Sequence, residues 1–151
     1  MARFHFRLEP VLHMRQRAEE QAQQALARAE RQLQEAERGL ALAEDRLRAA
    51  YGSANDAERV GSDVVQLTWH RNWIVVKTRD VEASRLDVRD RLETRDLRLH
   101  QAQEAHKQRR VLERFKERAR LVFDTEQAHR EMQAIDELAT IKAARRSGDF
   151  Q

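Results

Sequence analysis

Between Ala22 and Ala50 apolar residues recur at alternating four- and three-residue steps without a break: Ala22, Leu26, Ala29, Leu33, Ala36, Leu40, Ala43, Leu47 and Ala50. An apolar repeat of 3.5 residues holds one narrow stripe of a helix against a partner helix along its whole length. Here leucine fills every a slot and alanine every d slot, so the seam is small at alternate positions. Two backbones can then approach closely. Such a seam fits a tight antiparallel pair better than a parallel zipper, which wants bulk at both slots.

The rest of the chain points the same way. Among 151 residues there are one proline and four glycines, so turns must be few and helices long. With 36% of residues charged and 5% aromatic, there is material for one apolar stripe per helix and not for a thick core. Pro10, with its fixed φ, suits a first helical turn, and helical signals persist from about residue 10 to about residue 52. Gly39 interrupts them singly, either because the helix tolerates it or because a partner backbone comes close. The punctuation from Gly52 to Gly61 places a turn at about 53–62. Asp63 followed by Gln66 has capping-box spacing and opens a second helix over about 63–146. The expected fold is all-α: one long two-helix antiparallel coiled-coil hairpin over residues 1–151, its second helix longer than its first.

The second helix carries a rougher seam. Leu67, Ile74, Val81 and Val88 form one heptad column, which steps to Leu92, Leu99 and Ala102. Arg71, Thr78, Arg85 and Arg95 occupy the alternate slots, where arginine stems can cover alanine while their heads reach water. Glu30, Glu37 and Glu44 flank the first seam and offer those heads partners. A turn centred near residue 58 sets Leu47 against the region of His70 and Leu12 against Ala105.

That register leaves apolar residues over. Beyond about residue 108 the second helix outruns the first yet still carries Leu112, Phe115, Val122, Phe123 and Leu138, with Ile135 and Ile141. Exposed apolar area costs roughly 25 cal/mol per Å², so these residues call for a partner. They can insert into another protein or pair with a second tail, or the register itself differs from the one set by a turn near residue 58. Phe4, Phe6 and Leu8 can fold back over the start of the overhang. A second excess lies just past the turn, where Trp69, Trp73 and Val76 run i, i+4, i+7 on the face opposite the seam. Either the loop or Tyr51 wraps over these tryptophans, or they form a binding surface of the kind that concentrates binding energy.

Several function classes are disfavoured. Basic and acidic residues number 29 and 26 and are interspersed, the pattern of solvated helix faces rather than of a nucleic-acid footprint. The densest basic run comprises Lys107, Arg109, Arg110, Arg114, Lys116, Arg118 and Arg120 against Glu113 and Glu117. It reads as a solvated face or as a contact for an acidic protein. It lacks the run of aromatics that stacks bases, so no nucleic acid is expected. There is no cysteine, no glycine-rich phosphate cradle and no histidine pair at i, i+4 spacing. No cofactor, no metal and no catalysis are expected. No stretch approaches the ~20 apolar residues of a membrane span, so a cytoplasmic protein without membrane insertion is expected.

Both ends of the chain resemble the flagellar FliJ family. The opening Phe4-His5-Phe6-Arg7-Leu8-Glu9-Pro10-Val11-Leu12 with Arg15 carries the likeness, as does the close, Ile135-Asp136-Glu137-Leu138-Ala139 followed by Arg145 and Arg146. The resemblance implies a non-catalytic component of the flagellar type III export apparatus, similar to the coiled coil of the γ subunit of rotary ATPases. It further implies contacts with the hexameric export ATPase (FliI) and the export gate (FlhA), with the ATPase regulator (FliH) and export chaperones as further partners. Such a protein would sit at the cytoplasmic face of the inner membrane. Arg145 and Arg146 join the candidate contact residues on this ground. The alternatives are a structural homodimeric coiled coil and a stalk protein of a virulence injectisome.

Overall fold

A computed structural model describes residues 3–148. Among them the protein is all-α, with two helices and no strand: α1, Glu9–Val60, and α2, Val64–Gly148. They form an antiparallel hairpin whose second helix is the longer, at 85 residues against 52.

The connection is shorter than the expected turn at 53–62. α1 runs on to Val60 because the heptad rhythm does not stop at Ala50: Ala54 and Ala57 keep the four-three spacing and are half-buried. Gly52, isolated within a helix, costs only about 1 kcal/mol. The true stop is Gly61, whose φ of 77° lies in the left-handed region. Its N–H donates to the Glu58 carbonyl at 3.2 Å, and the Ser62 N–H donates to the Ala57 carbonyl at 3.0 Å. This pair of bonds is the Schellman closure, which satisfies carbonyls left over at a helix end. Asp63 then caps α2, its Oδ1 accepting the Gln66 backbone N–H at 2.8 Å. At the other end of the hairpin, α1 opens at Glu9, with Pro10 inside the first turn, where no backbone N–H is needed.

The helices pack as two units. In the hairpin unit, Ala18–Ala105, the alanines of the α1 seam are the best-covered residues: Ala29, Ala43 and Ala50 are buried, while Leu26, Leu33, Leu40 and Leu47 are half-buried. Small d residues bring α2 close, and Val81 and Ala102 are its buried counterparts. Two of the expected alternate slots on α2 need correction. Arg71 and Arg85 are exposed, and Leu92 is exposed as well; Thr78 and Arg95 are half-buried as expected, and His70, Lys77, Ser84 and Arg91 are half-buried too. The step in the column therefore falls at Arg95, between Val88 and Leu99. Arg91 Nη1 donates to Gln32 Oε1 at 3.1 Å. Of the three flanking glutamates, Glu44 meets Arg85 at 3.6 Å.

The terminal unit comprises the described residues up to Arg17 and those from His106 onward. Arg15 Nη1 donates to Gln108 Oε1 at 2.6 Å, and Lys116 Nζ donates to Glu9 Oε1 at 2.8 Å. Leu12 is buried, lining a cleft with Gln16, Glu113, Lys116 and Glu117, not facing Ala105 as a turn near residue 58 would require. The cause is the reversal itself, centred on Ser62, which moves the facing positions on α2 toward its C-terminus. Residues 3–6 are not helical, and extended chain covers about 3.3 Å per residue against 1.5 Å in a helix. They therefore reach far along α2: the Phe4 ring lies 5.6 Å from that of Phe123.

Candidate partner-binding surfaces

The structure divides the candidate residues among three environments. Phe6 is 8% exposed and belongs to the packed interior of the terminal unit. Phe4 and Phe123 are half-buried beside it, and Leu112 is half-buried in the same unit. The Phe4 and Phe123 rings meet at 60°, and the Arg120 guanidinium sits 5.3 Å from the Phe4 centroid. Phe123, expected on an uncovered overhang, thus meets Phe4 of the N-terminal segment, and Leu112, expected there too, is half-buried. Leu8 remains exposed at its edge. Full exposure begins further along than expected: every described side chain from Ala128 to Arg146 is exposed, including Leu138, Arg145 and Arg146. Arg145 and Arg146 lie in the last turn of α2, where cations face the negative end of the helix dipole.

The second environment is the tryptophan ladder of the hairpin unit. Trp69 and Trp73 stack one turn apart, with centroids 5.7 Å apart and planes at 10°. Lys77 extends the ladder, its Nζ 4.3 Å from the Trp73 ring centre and 3.0 Å from Asp80 Oδ2. Trp69 is 57% exposed and Trp73 40%, with Val65 and Val76 exposed on the same side. A three-residue connection, Gly61 to Asp63, carries no apolar side chain to wrap over them. Tyr51, the other candidate cover, is itself exposed. The two indoles form a flat, pre-ordered plate of the kind that anchors interfaces, since stacked rings lose little freedom on binding. Lys77 was not foreseen, although its i+4 step from Trp73 was there to read.

The third environment is the outer face of the terminal unit, where Phe115 and Val122 are exposed together with Val111. Arg114 and Arg118 lie among them. On the far side of α2, in the cleft beside Leu12, Glu113 accepts from both Arg110 and Arg109. Those hydrogen bonds, Arg110's first, hold its carboxyl below the ordinary glutamate value of 4.5, against a smaller opposing effect of burial.

None of these surfaces is a catalytic constellation. They are apolar plates and stripes on helices, suited to docking. The profile of the flagellar FliJ protein family matches residues 4–148, nearly the whole chain. The chain belongs to the FliJ family. It is thereby a component of the flagellar protein export apparatus. The match takes in every candidate residue, from the FliJ-like opening at Phe4 to Arg146. No curated protein and no solved structure matches the chain. Among the described residues of this FliJ-family protein, no helix is long and apolar enough to cross a membrane.

Proposed function

We propose that this protein is a non-catalytic coupling element of the export apparatus, which binds the hexameric export ATPase (FliI) through its terminal unit and the export gate (FlhA) through Trp69, Trp73 and Val76. One observation carries the reading: Trp69, Trp73 and Val76 past the turn, and Met132, Ile135, Leu138 and Ile141 in the last third of α2, form two runs of exposed large apolar residues, while the seam leucines Leu26, Leu33, Leu40 and Leu47 are half-buried. A helix end with exposed Leu138, Arg145 and Arg146, backed by the packed Phe4–Phe123 pair, suits insertion into a ring. The ladder suits a flat contact on a gate or on an export chaperone, and the regulator FliH is a further partner. Attachment through these partners would place the protein at the cytoplasmic face of the inner membrane.

Removing residues from about 130 onward tests the assignment. The expected outcome is loss of ATPase binding and stimulation with retention of the gate contact; unchanged ATPase binding refutes it. Sedimentation of the free protein separates this reading from a purely structural homodimer, which would run as a stable pair.

A further inference from the structure

The seven cations between Lys107 and Arg120 are sorted by face. Arg109 and Arg110 both pair with Glu113, Lys116 pairs with Glu9 at 2.8 Å, and Arg120 pairs with Asp124 at 3.1 Å. Lys107, Arg114 and Arg118 form no ion pair or hydrogen bond among the described residues, and all three are exposed. At about 100° per residue these three fall within an arc of about 40° on α2. Val111, Val122 and Phe115 continue the same surface, with Phe115 52% and Val122 58% exposed. Between residues 107 and 125 no carboxylate falls on the combined arc of about 100°: Glu113, Glu117 and Asp124 lie on other sides of the helix. Between Lys107 and Val122 the face is wholly apolar and cationic, in a chain whose charges are otherwise mixed.

Spacing limits what can cover it. Val111, Phe115, Arg118 and Val122 step by four, three and four, the rhythm of a second coiled-coil seam. A lipid surface calls for a wide apolar face edged by cations on both flanks. Here the apolar stripe is narrow and the free cations border one flank, which is the footprint of a single helix. We propose that this face docks one amphipathic α-helix of another protein, its apolar stripe seated on Val111, Phe115 and Val122 and its carboxylates paired with Lys107, Arg114 and Arg118. The inference rests on this face alone and stands whether or not the end of α2 enters an ATPase ring.

The test uses the full-length protein and two labelled synthetic peptides of three heptads, with leucine at a and d. One carries glutamate at e and g, the other lysine at the same positions. Fluorescence anisotropy at low salt is expected to show the glutamate peptide binding at least about ten-fold more tightly. The double variant Arg114→Glu, Arg118→Glu is expected to invert that preference, and capture of the lysine peptide would also show that the variant is folded. Phe115→Ser is expected to weaken binding of the glutamate peptide. Equal binding of the two peptides by the wild type, or an unchanged preference in the charge-reversed variant, overturns the proposal. So does either of two other outcomes. In one, the charge reversal abolishes binding to phosphatidylglycerol vesicles while leaving peptide binding intact, which assigns the face to lipid. In the other, sedimentation shows a dimer that Phe115→Ser dissociates, which assigns it to a second copy of this chain.

Discussion

Alanine at Gly39 should stabilise the protein, and the same substitution at Gly61 should destabilise it. Gly39 lies in the middle of α1, and a Cβ built on it meets nothing within 4 Å. Close approach of a partner backbone therefore does not explain this glycine. What remains is the propensity cost, about 1 kcal/mol relative to alanine inside a helix. Gly52 is in the same position, inside α1 with open space at its Cβ. The two sites are about 20 Å apart along the helix, far enough for their effects to add. The double variant should gain about 2 kcal/mol, and its midpoint temperature should rise by roughly 4–8 °C. Gly61 also has open space at its Cβ, but its φ of 77° puts an alanine in the left-handed region, at roughly 1–2 kcal/mol. Urea denaturation followed by circular dichroism reads all three variants on one scale. A neutral or destabilising Gly39→Ala would refute the reasoning, because it would require a backbone within contact of that Cβ. A neutral Gly61→Ala would refute the Schellman closure of α1.

Four shorter predictions accompany this one. Phe6→Ala should destabilise the terminal unit by about 3 kcal/mol, the usual cost of emptying a buried phenylalanine site, seen as faster hydrogen exchange between Gln108 and Phe123. Asp63→Ala should cost about 1 kcal/mol in urea titrations, through loss of the cap on the Gln66 N–H. Trp73→Ala should leave the denaturation midpoint within about 1 kcal/mol of wild type, since it removes only an exposed stack and the Lys77 contact; it should nevertheless weaken pull-down of the gate protein. Glu113 has a lowered native pKa, so its contribution to stability is complete above the ordinary value of 4.5 and is lost as pH falls from there through the native value. Thermal melts across that window should show a steeper acid decline for wild type than for Glu113→Gln, and parallel curves would refute the assignment.

The fold was legible because a period of 3.5 residues is a geometric statement and survives any surface sequence. The Leu/Ala seam sets which face of α1 is covered, and Gly61 with Asp63 sets where the chain reverses. The register was harder to read, because the Gly52–Asn55 stretch looks like a turn on residue preference alone. Tertiary packing of Ala54 and Ala57 outweighed that preference and carried α1 to Val60. That one change covered Leu112 and Phe123 and displaced the start of the exposed helix to Ala128. The tryptophan ladder was readable from its i, i+4 spacing. The outer face was less so, because Lys107, Arg114 and Arg118 stand in the sequence among four cations that have internal partners, and composition does not distinguish paired from unpaired charge.

The position of the exposed stripe near the end of α2 bears on how a partner could use it. Leu121, Ala128, Met132, Ile135 and Ala139 follow heptad spacing, and all are exposed. The residues of α2 that face the N-terminal segment and the start of α1 include Leu112, Lys116, Ala119 and Phe123, all half-buried. At about 100° per residue the two sets lie on nearly opposite sides of α2. A helix or ring loop seating on the stripe therefore need not displace Phe4 from Phe123 or break the Lys116–Glu9 pair. Had the stripe continued the covered face, the N-terminal segment would compete with any partner, and loosening it would strengthen binding. With the faces opposed, Phe4→Ala should lower the stability of the terminal unit and leave affinity for a ligand of the stripe unchanged.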